Sequence, residues 1–538
     1  MARLHEYQGK ALLRQFNVAV PQGRVAATPD EARAIAADIG KPVMVKAQAW
    51  VTGRAGMGGI KKAATPDEAA RAAQAMLGMK VKGFTVKQVL VEEQLAIKRE
   101  FYAGIIVDDR EQAPLVMFSS VGGTGIEAIA VENPGAVAST HVDIEFGLQD
   151  YQARNLVRKT GVGGRLQRGL GSVLVQLYDV ARAYEARAAE INPLVLTEDG
   201  KLYAADCRIT VDDYAVFRHE DLGIAIAREY NRPPTPLEQI AYDVESGDYR
   251  GTFYFIQMAA DAEDFEKGEG YVGFHGAGGG GSMMSMDAVL RQGYKVATFV
   301  DTSGNPPASK VYRAAKIVLS VGPIDGYFGS GSGVASQEQF YSARGLFKAF
   351  LEEQVDVPIV IRLGGNAEDR AVEILESLNG RIPAKVEGYK KDDSPDFCAA
   401  RLDALIKEAR SKKQEAHNPQ PTTHNPQPIT HNPQPTTPYT FETITNGIVT
   451  FDHAICATCE SKICIEACGM NILSLNDNGC PVLNITPEEA KKGRCSECLG
   501  CEVDCLLYGA GGGHVKLPIP GLEAVRPTTN FNTNKRMG

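Results

Sequence analysis

Cysteine placement is the feature of this sequence that most limits how the chain can fold. Nine of its eleven cysteines fall within the last hundred residues, and eight of those nine form two ordered runs. The runs have the spacings C-x2-C-x4-C-x3-C and C-x2-C-x2-C-x3-C, and they consist of Cys456, Cys459, Cys464 and Cys468, and of Cys495, Cys498, Cys501 and Cys505. Such regular spacing predicts a small C-terminal domain organised around its thiols.

The two runs predict a pair of [4Fe–4S] clusters, as in a two-cluster ferredoxin. Three closely spaced thiolates plus a fourth from the other run can hold a cubane, and the x3 spacing lets the runs exchange ligands. A disulfide scaffold would need an oxidising compartment, and eight cysteines over-supply a zinc ribbon. Cys480 fits neither run and is interpreted as a structural thiol. The predicted ligands are Cys456, Cys459, Cys464 and Cys505 for one cluster and Cys468, Cys495, Cys498 and Cys501 for the other.

Bulk properties exclude several function classes. A chain of 538 residues is too long for one hydrophobic core and implies several domains. Its net charge of −9 argues against a general nucleic-acid binder. No stretch approaches eighteen uninterrupted apolar residues, so we expect no membrane span. Free thiols without an apolar signal segment predict a cytoplasmic location.

A proline-rich segment divides the chain. The heptad His-Asn-Pro-Gln-Pro-x-Thr begins at His417, His424 and His431. Two prolines per heptad favour an extended polyproline II tether, which at about 3.1 Å per residue could reach roughly 60 Å. A second break, at 233–237, is also rich in proline. We therefore predict domains at 1–235, 236–410 and 439–520, a linker at 411–438 and a tail at 521–538.

Regular alternation of strands and helices marks the second domain. Strands predicted at 271–274, 295–300, 325–328 and 358–362 each precede a helix, at 283–292, 308–319, 336–353 and 367–378. This order implies a parallel, doubly wound sheet. The first domain also mixes the two elements, with strands at 42–46 and 88–92 and a helix at 65–77. Both domains are therefore predicted to be α/β.

Three stretches of the first domain predict a nucleotide site. Lys46 ends an apolar strand and precedes a glycine loop at 53–59, whose N–H groups could close over phosphates while Lys46 and Arg54 neutralise charge. The strand at 90–92 could present backbone groups to an adenine ring. The segment Glu190-Ile-Asn192-Pro is followed by Asp206 at a strand end, and such oxygen ligands suit Mg²⁺. Each stretch alone is a weak signal.

In their order, their spacing and their residues, these segments resemble the β subunit of succinyl-CoA synthetase and related ADP-forming acyl-CoA ligases, an ATP-grasp family. The resemblance runs from the opening Leu-His-Glu-Tyr-Gln at 4–8 to about residue 380. It implies an ATP-grasp domain and a flavodoxin-like ligase domain, while the cysteine spacing predicts that a small α+β ferredoxin-like domain follows the linker. It also implies Asn192 and Asp206 as Mg²⁺ ligands, Glu190 as a catalytic candidate, and contacts to ATP or GTP from Lys46, Gly53, Arg54, Glu92, Leu95 and Glu100.

The second domain departs from the family where the acid substrate should bind. His275 stands where the family usually has asparagine, and the loop at 328–336 lacks the arginine that succinate-type enzymes carry after the glycines. Glycine loops at the carboxyl ends of parallel strands predict a phosphate and carboxylate pocket, with His275 as a catalytic candidate. The alternatives that His275 is a packing residue and that the glycines only permit tight turns stay open. The candidate loop glycines are Gly329, Gly331 and Gly333.

The sequence as a whole predicts a carboxylate–CoA ligase subunit with an attached electron-transfer module. The resemblance implies a partner α subunit that carries a phosphohistidine and binds most of the CoA, so a hetero-oligomer is expected. Residues 510–521 resemble the close of ferredoxin-like proteins that accompany flavoprotein dehydrogenases, which favours an oxidoreductase or flavoprotein partner. Two alternatives are an ATP-driven activase for a low-potential reductase and a cluster domain used only for assembly.

Overall fold

The computed structural model describes residues 2–51, 53–123, 131–224, 228, 232–248, 252–259, 270–331, 335–415 and 438–525. They belong to two compact units, Met1–Pro234 and Thr235–Gly538. The proline-rich heptads, the last thirteen residues of the predicted tail and Gly333 lie outside the described residues. Within the described part of the chain, no helix has the length and apolar character needed to cross a membrane.

The first unit contains two antiparallel sheets. A seven-stranded sheet has the order β1-β13-β11-β8-β9-β10 with β12 on β11, and a four-stranded sheet has the order β2-β7-β3-β4; β5 and β6 pair separately. The elements are β1 (Ala2–Arg3), α1 (Glu6–Gln15), β2 (Gly23–Ala26), α2 (Pro29–Ile39), β3 (Val43–Ala47), β4 (Ile60–Ala63), α3 (Pro66–Met76), β5 (Lys80–Val81), β6 (Phe84–Thr85), β7 (Val89–Glu93), β8 (Ile97–Asp108), β9 (Ala113–Ser119), β10 (Val137–His141), α4 (Asp150–Lys159), α5 (Gly164–Ala183), β11 (Ala186–Thr197), β12 (Leu202–Ala204) and β13 (Cys207–Val211).

Helices α2 and α3 cover the four-stranded sheet and begin in the same way. Each follows the sequence Thr-Pro-Asp-Glu, and the hydroxyls of Thr28 and Thr65 accept the N–H of the glutamate three residues on, at 3.2 Å. A threonine cap with proline at the first helical position favours this start. The buried faces of both helices are largely alanine, which lets them lie close to the sheet. The fold therefore holds β3, which carries Lys46, rigidly in place.

The second unit is built on a six-stranded sheet of order β14-β16-β15-β17-β19-β21. All strands are parallel except β14, so the parallel strands follow the 2-1-3-4-5 order of flavodoxin-like folds. This confirms the predicted fold class. The elements are α6 (Pro236–Ser246), β14 (Tyr254–Gln257), β15 (Tyr271–Ala277), α7 (Gly279–Arg291), β16 (Lys295–Asp301), α8 (Ala308–Leu319), β17 (Gly326–Gly331), β18 (Ala335–Glu338), α9 (Phe340–Glu353), β19 (Ile359–Arg362), β20 (Gly365–Asn366), α10 (Glu368–Glu376), β21 (Val386–Tyr389) and α11 (Pro395–Glu415).

One predicted helix begins later than the sequence suggested. The helix expected at 336–353 starts at Phe340, because the preceding residues form β18 and pair with β20. The segment after the glycines of β17 is therefore extended before it turns into α9. The other predicted helices match within about four residues of their observed bounds, and α8 matches its predicted range.

The cysteine-rich segment packs within the second unit as a small α+β module, defined here as residues 438–525. Its strands form a three-stranded sheet of order β22-β23-β26 and a hairpin of β24 and β25. Its residues share one continuous hydrophobic core with α8, α9 and the six-stranded sheet. The elements are β22 (Tyr439–Glu442), β23 (Ile448–Phe451), α12 (His453–Thr458), α13 (Ile463–Glu466), β24 (Leu473–Leu475), β25 (Pro481–Leu483), α14 (Pro487–Glu489), α15 (Gly500–Tyr508), β26 (Gly513–Lys516) and α16 (Leu522–Val525).

Candidate functional site

Five of the residues predicted for the nucleotide site line one cavity of about 320 Å³ in the first unit: Gly53, Arg54, Glu190, Asn192 and Asp206. Two of the three predicted stretches reach it, namely the glycine loop and the segment that combines Glu190 and Asn192 of β11 with Asp206, whereas the strand at 90–92 does not line it. Its lining combines cations with oxygen-bearing side chains, which is the chemistry that a polyphosphate and a divalent cation need. The charged and amide residues in the lining are Arg3, Glu6, Arg54, Glu190, Asn192, Asp206 and Arg208.

Lys46 lies beneath this cavity in a buried ion-pair cluster. Its Nζ is 2.9 Å from Glu6 Oε1 and 2.7 Å from Glu92 Oε1, and it donates to the Ala205 carbonyl at 2.7 Å. Lys10 bridges the same two carboxylates at 2.8 and 2.6 Å. Burial alone would lower the pKa of Lys46, but Glu6, Glu92 and Asp206 outweigh it and raise that pKa. The lysine is therefore held charged by its carboxylate neighbours although it is buried.

Arg54 connects this cluster to the cavity. Two glycines with positive φ, Gly53 and Gly58, flank the helical turn Arg54–Met57 and shape the loop that carries it. Its Nη2 donates to Glu6 Oε2 at 2.7 Å and to both oxygens of Asp206 at 3.2 and 3.0 Å. Burial opposes ionisation of Glu6, yet the surrounding cations hold its pKa well below the ordinary value. Glu6 is therefore an ionised carboxylate held among three cations, Lys10, Lys46 and Arg54.

Asn192 and Asp206, the predicted magnesium ligands, are neighbours. The Asn192 N–H donates to the Asp206 carbonyl at 3.1 Å, and a cis peptide bond joins Asn192 to Pro193. The Asn192 amide exchanges two hydrogen bonds with the backbone of Gly123, at 3.1 and 3.2 Å. Burial, followed by the Glu6 carboxylate, raises the pKa of Asp206 against the opposing effect of Lys46 and Arg54. A divalent cation would relieve this repulsion.

The remaining predicted residues of this site take different positions. Glu190 lines the cavity, and the Tyr102 hydroxyl lies 3.4 Å from its carboxylate. Glu92 turns its side chain toward Lys10 and Lys46 rather than outward. Leu95 is half-buried between β7 and β8, and Glu100 is half-buried on β8.

Four further residues of the site were not predicted from the sequence: Arg3, Glu6, Lys10 and Arg208. Glu6 and Lys10 lie four residues apart on α1, but their partners are up to about two hundred residues away, at Lys46, Glu92 and Ala205. Burial, and then the neighbouring Arg208, lower the pKa of Arg3 to about 10. The only local signal was the presence of Glu6 in the family opening at 4–8.

The candidate residues of the second unit lie mostly inside its sheet. His275 is 5% exposed, its Nδ1 is 2.6 Å from the Tyr327 hydroxyl, and burial lowers its pKa to about 3. The adjoining cavity measures only about 20 Å³. Gly329 and Gly331 are buried at the end of β17, where Gly329 pairs with Ile361 of β19 and Gly331 with Ala277 of β15. This geometry favours a packing role for His275, and its catalytic role stays a prediction.

The cysteines of the module separate into two neighbourhoods. Burial raises the pKa of Cys456 to about 12, and the thiols of Cys505, Cys464, Cys480 and Cys459 add to the shift. Burial, and then Cys498, Cys495 and Cys468 among its neighbours, raise the pKa of Cys501. A cavity with mostly apolar walls is also lined by Cys468, Cys495, Cys498 and Cys501. In the described residues, no three His, Cys, Asp or Glu side chains converge where a single metal ion could bind.

The fold and the first site define an ATP-grasp enzyme. The ATP-grasp domain family matches residues 3–196. ATP citrate lyase from Methanothrix soehngenii, solved with citrate and coenzyme A, superposes with a TM-score of 0.59 at 18% identity, over 76% of this chain and 99% of that one. At this identity the likeness shows the fold alone.

Sequence relatives define the family. The β subunit of the GDP-forming succinate–CoA ligase from Thermus thermophilus is 40% identical over 389 residues, which is 72% of this chain and 97% of the relative. The β subunit of the ADP-forming ligase from Rubrobacter xylanophilus is 37% identical over 368 residues, 68% of this chain and 90% of the relative. The chain therefore belongs to the succinate–CoA ligase β-subunit family, which confirms the resemblance found in its motifs.

Proposed function

We propose that this chain is the nucleotide-binding β-type subunit of an ADP- or GDP-forming carboxylate–CoA ligase. The observation that carries the proposal is the convergence of Arg54, Asn192 and Asp206 on one cavity, with Lys46 beneath it, in a member of this family. The net reaction would convert a carboxylic acid, CoA and a nucleoside triphosphate into an acyl-CoA, a nucleoside diphosphate and phosphate.

Different residues in and around the cavity would bind the phosphates, the metal ion, the base and the sugar. Lys46 and Arg54 would hold phosphate oxygens in place of Glu6, and Gly53 would allow the backbone to approach them. Asn192 and Asp206 would hold Mg²⁺, which neutralises charge on the transferred phosphoryl group. Glu190 would orient ligands at the same edge, while Leu95 and Glu100 would contact the base and sugar. In such reactions positioning and electrostatics supply most of the rate.

The acid and the second subunit complete the proposal. An α-type partner would carry the phosphohistidine and most of the CoA site. The acid would bind at the carboxyl ends of β15 and β17, where Gly331 leaves space and the Ser285 and Ser330 hydroxyls are 2.8 Å apart. The identity of the acid follows from an experiment: the purified chain and its α partner, given a panel of carboxylates, should release ADP or GDP only when CoA and the correct acid are present.

That assay also separates the ligase from an ATP-driven activase of a reductase. A ligase forms acyl-CoA without any electron donor. Nucleoside diphosphate that appears only while electrons are being transferred, with no acyl-CoA formed, would reject the ligase and support the activase.

We further propose that the module carries two [4Fe–4S] clusters that exchange electrons with an oxidoreductase or flavoprotein. Support comes from the two thiol neighbourhoods, which contain the ligand sets expected from the spacing, with Cys480 as an additional neighbour of Cys456. A cubane needs four thiolates at separate corners rather than around one ion, so these sets suit it. Free thiols also suit a reducing compartment such as the cytoplasm.

Iron content tests the module directly. The full chain, purified without oxygen or reconstituted with iron and sulfide, should contain about eight irons if both cysteine sets bind cubanes. Dithionite should then bleach its visible absorption. Clusters that never accept an electron would favour a module used only for assembly, and an iron-free or zinc-loaded chain would reject the clusters.

A further inference from the structure

The second cysteine run carries three acidic residues, and each faces a cation from the ligase domain within the same unit. Lys348 Nζ lies 2.7 Å from Glu502 Oε1, and Arg313 Nη1 lies 3.6 Å from Glu497 Oε2. Arg344 donates to Asp504 through a short contact. We call Arg313, Arg344 and Lys348 the cation seat; the first lies on α8 and the other two on α9.

Two of these ion pairs are buried, and in the third Lys348 is buried while the Glu502 side chain is 16% exposed. The side chains of Arg344 and Asp504 are 1% and 0% exposed, and Glu497 is fully covered. Buried ion pairs bring little net stability, since desolvation offsets their attraction. We therefore explain this arrangement by the electrostatic effect of the charges on the neighbouring thiols rather than by a gain in folding free energy.

The neighbours of the acids are cluster-ligand candidates. Glu497 precedes Cys498 and Glu502 follows Cys501, whereas Asp504 precedes Cys505 of the other ligand set. Arg344 also approaches this run directly, because its Nη1 lies 3.5 Å from the Cys498 carbonyl. A Cβ on Gly500 would come within 3.1 Å of the same nitrogen. The seat thus places positive charge next to the second thiol set.

Charge beside a cluster changes how readily it accepts an electron. Reduction adds one negative charge, so nearby carboxylates oppose it and nearby cations favour it. Without the seat, the carboxylates of Glu497 and Glu502, which adjoin Cys498 and Cys501, would lower the reduction potential of this cluster. With the seat, each carboxylate is compensated by a cation of the ligase domain.

We propose that the cation seat raises the reduction potential of the cluster held by Cys468, Cys495, Cys498 and Cys501, so that the ligase domain tunes the redox module. This inference rests on the two clusters proposed above. It assigns Arg313, Arg344 and Lys348 as positioning and tuning residues, and the electron itself comes from an external low-potential donor.

Opposite charge changes within one pair provide the test. Lys348→Gln should lower the midpoint potential of one of the two clusters, with a tenfold change in its reduced-to-oxidised ratio corresponding to about 59 mV. Glu502→Gln should raise the same potential, and Lys348→Arg should leave it near the wild-type value. The measurement is a dithionite titration of the full chain, at the same pH for every variant, followed by electron paramagnetic resonance.

Lys407→Gln is the matched control. Lys407 is an exposed residue of α11 that pairs with Asp403 at 2.7 Å, away from the module, so neither potential should move. If Lys348→Gln fails to fold, Arg370→Gln replaces it. Arg370 is half-exposed and is a second partner of Asp504 at 3.0 Å, and its loss should lower the potential by a smaller amount.

The outcomes distinguish a failure of this inference from a failure of the proposal that the module carries two clusters. An iron-free wild-type chain rejects the clusters and the seat together. Iron-loaded variants whose potentials stay unchanged, or shift in the same direction for Lys348→Gln and Glu502→Gln, reject the seat alone. Same-direction shifts would mean that both substitutions merely disturb packing.

Discussion

Arg54 and Asp206 form an ion pair at the candidate nucleotide site, in which Nη2 of the arginine lies 3.2 and 3.0 Å from the two carboxylate oxygens. One was predicted to bind phosphate and the other Mg²⁺. A divalent ion on Asp206 would compete with this ion pair and free Arg54 for the nucleotide. Metal and nucleotide should therefore bind cooperatively, each strengthening the other.

Asp206→Asn should weaken this cooperativity. We expect the gain in ATP affinity on adding Mg²⁺ to fall by about tenfold or more, because an amide oxygen is a poorer ligand for a hard cation. Calorimetric titrations with and without Mg²⁺ measure the change. Asp199→Asn is the control, since Asp199 is exposed on a turn and pairs with Lys201. An equal Mg²⁺ effect in both variants would exclude Asp206 as a metal ligand.

Glu6→Gln should destabilise the chain and do so less when nucleotide is bound. Glu6 faces Lys10, Lys46 and Arg54, and removing one member of a buried ion-pair cluster costs about 3–5 kcal/mol of unfolding free energy. Phosphate oxygens can replace the lost carboxylate, so MgATP should recover part of the loss.

Urea unfolding with and without MgATP measures both effects. Glu185→Gln is the control, because Glu185 is exposed and pairs with Arg218 at the surface, where a pair contributes about 1 kcal/mol or less. If Glu6→Gln lowers the unfolding free energy by the same amount with and without MgATP, phosphate oxygens do not replace the Glu6 carboxylate among these cations.

His275 should make stability depend on pH. Burial lowers its folded pKa from 6.5 to about 3, so below pH 6.5 the unfolded chain binds a proton that the folded chain does not. Stability contributed by the neutral histidine is complete above pH 6.5 and is lost as the pH falls toward 3. At pH 5 the loss is about 2 kcal/mol. His275→Asn removes this titration, so its unfolding free energy should change less between pH 7 and pH 5; parallel changes would contradict the burial.

The sequence allowed part of this site to be predicted because its motifs are local. Lys46 lies near the end of β3 and Asp206 between β12 and β13, while Asn192 belongs to the short motif Glu-Ile-Asn-Pro, so each is marked by its own local sequence. Glu6 could not be found in this way, because its role depends on cations that are 4, 40 and 48 residues away in sequence. Partners this far apart meet only after two sheets and α1 have formed.

The position of the module was also hidden in the sequence. A proline-rich tether suggested a domain free to reach a distant partner, whereas the described residues of the module pack on α8 and α9. The acids Glu497, Glu502 and Asp504 look like ordinary surface charges of a ferredoxin-like segment. Their basic partners lie 154 to 184 residues earlier, so only the folded unit reveals the match.

Two glycines of β17 separate strand packing from a role in acid binding. A Cβ on Gly329 would lie 2.7 Å from Ile361 Cδ1, whereas a Cβ on Gly331 would have no neighbour closer than 3.8 Å. Gly329→Ala should therefore cost about 1–3 kcal/mol of unfolding free energy, and Gly331→Ala about 0.5 kcal/mol or less. If the end of β17 forms the predicted carboxylate pocket, Gly331→Ala should still lower kcat/KM for the acid with unchanged KM for ATP. Unchanged kinetics in a stable Gly331→Ala enzyme would show that these glycines serve only the packing of the sheet.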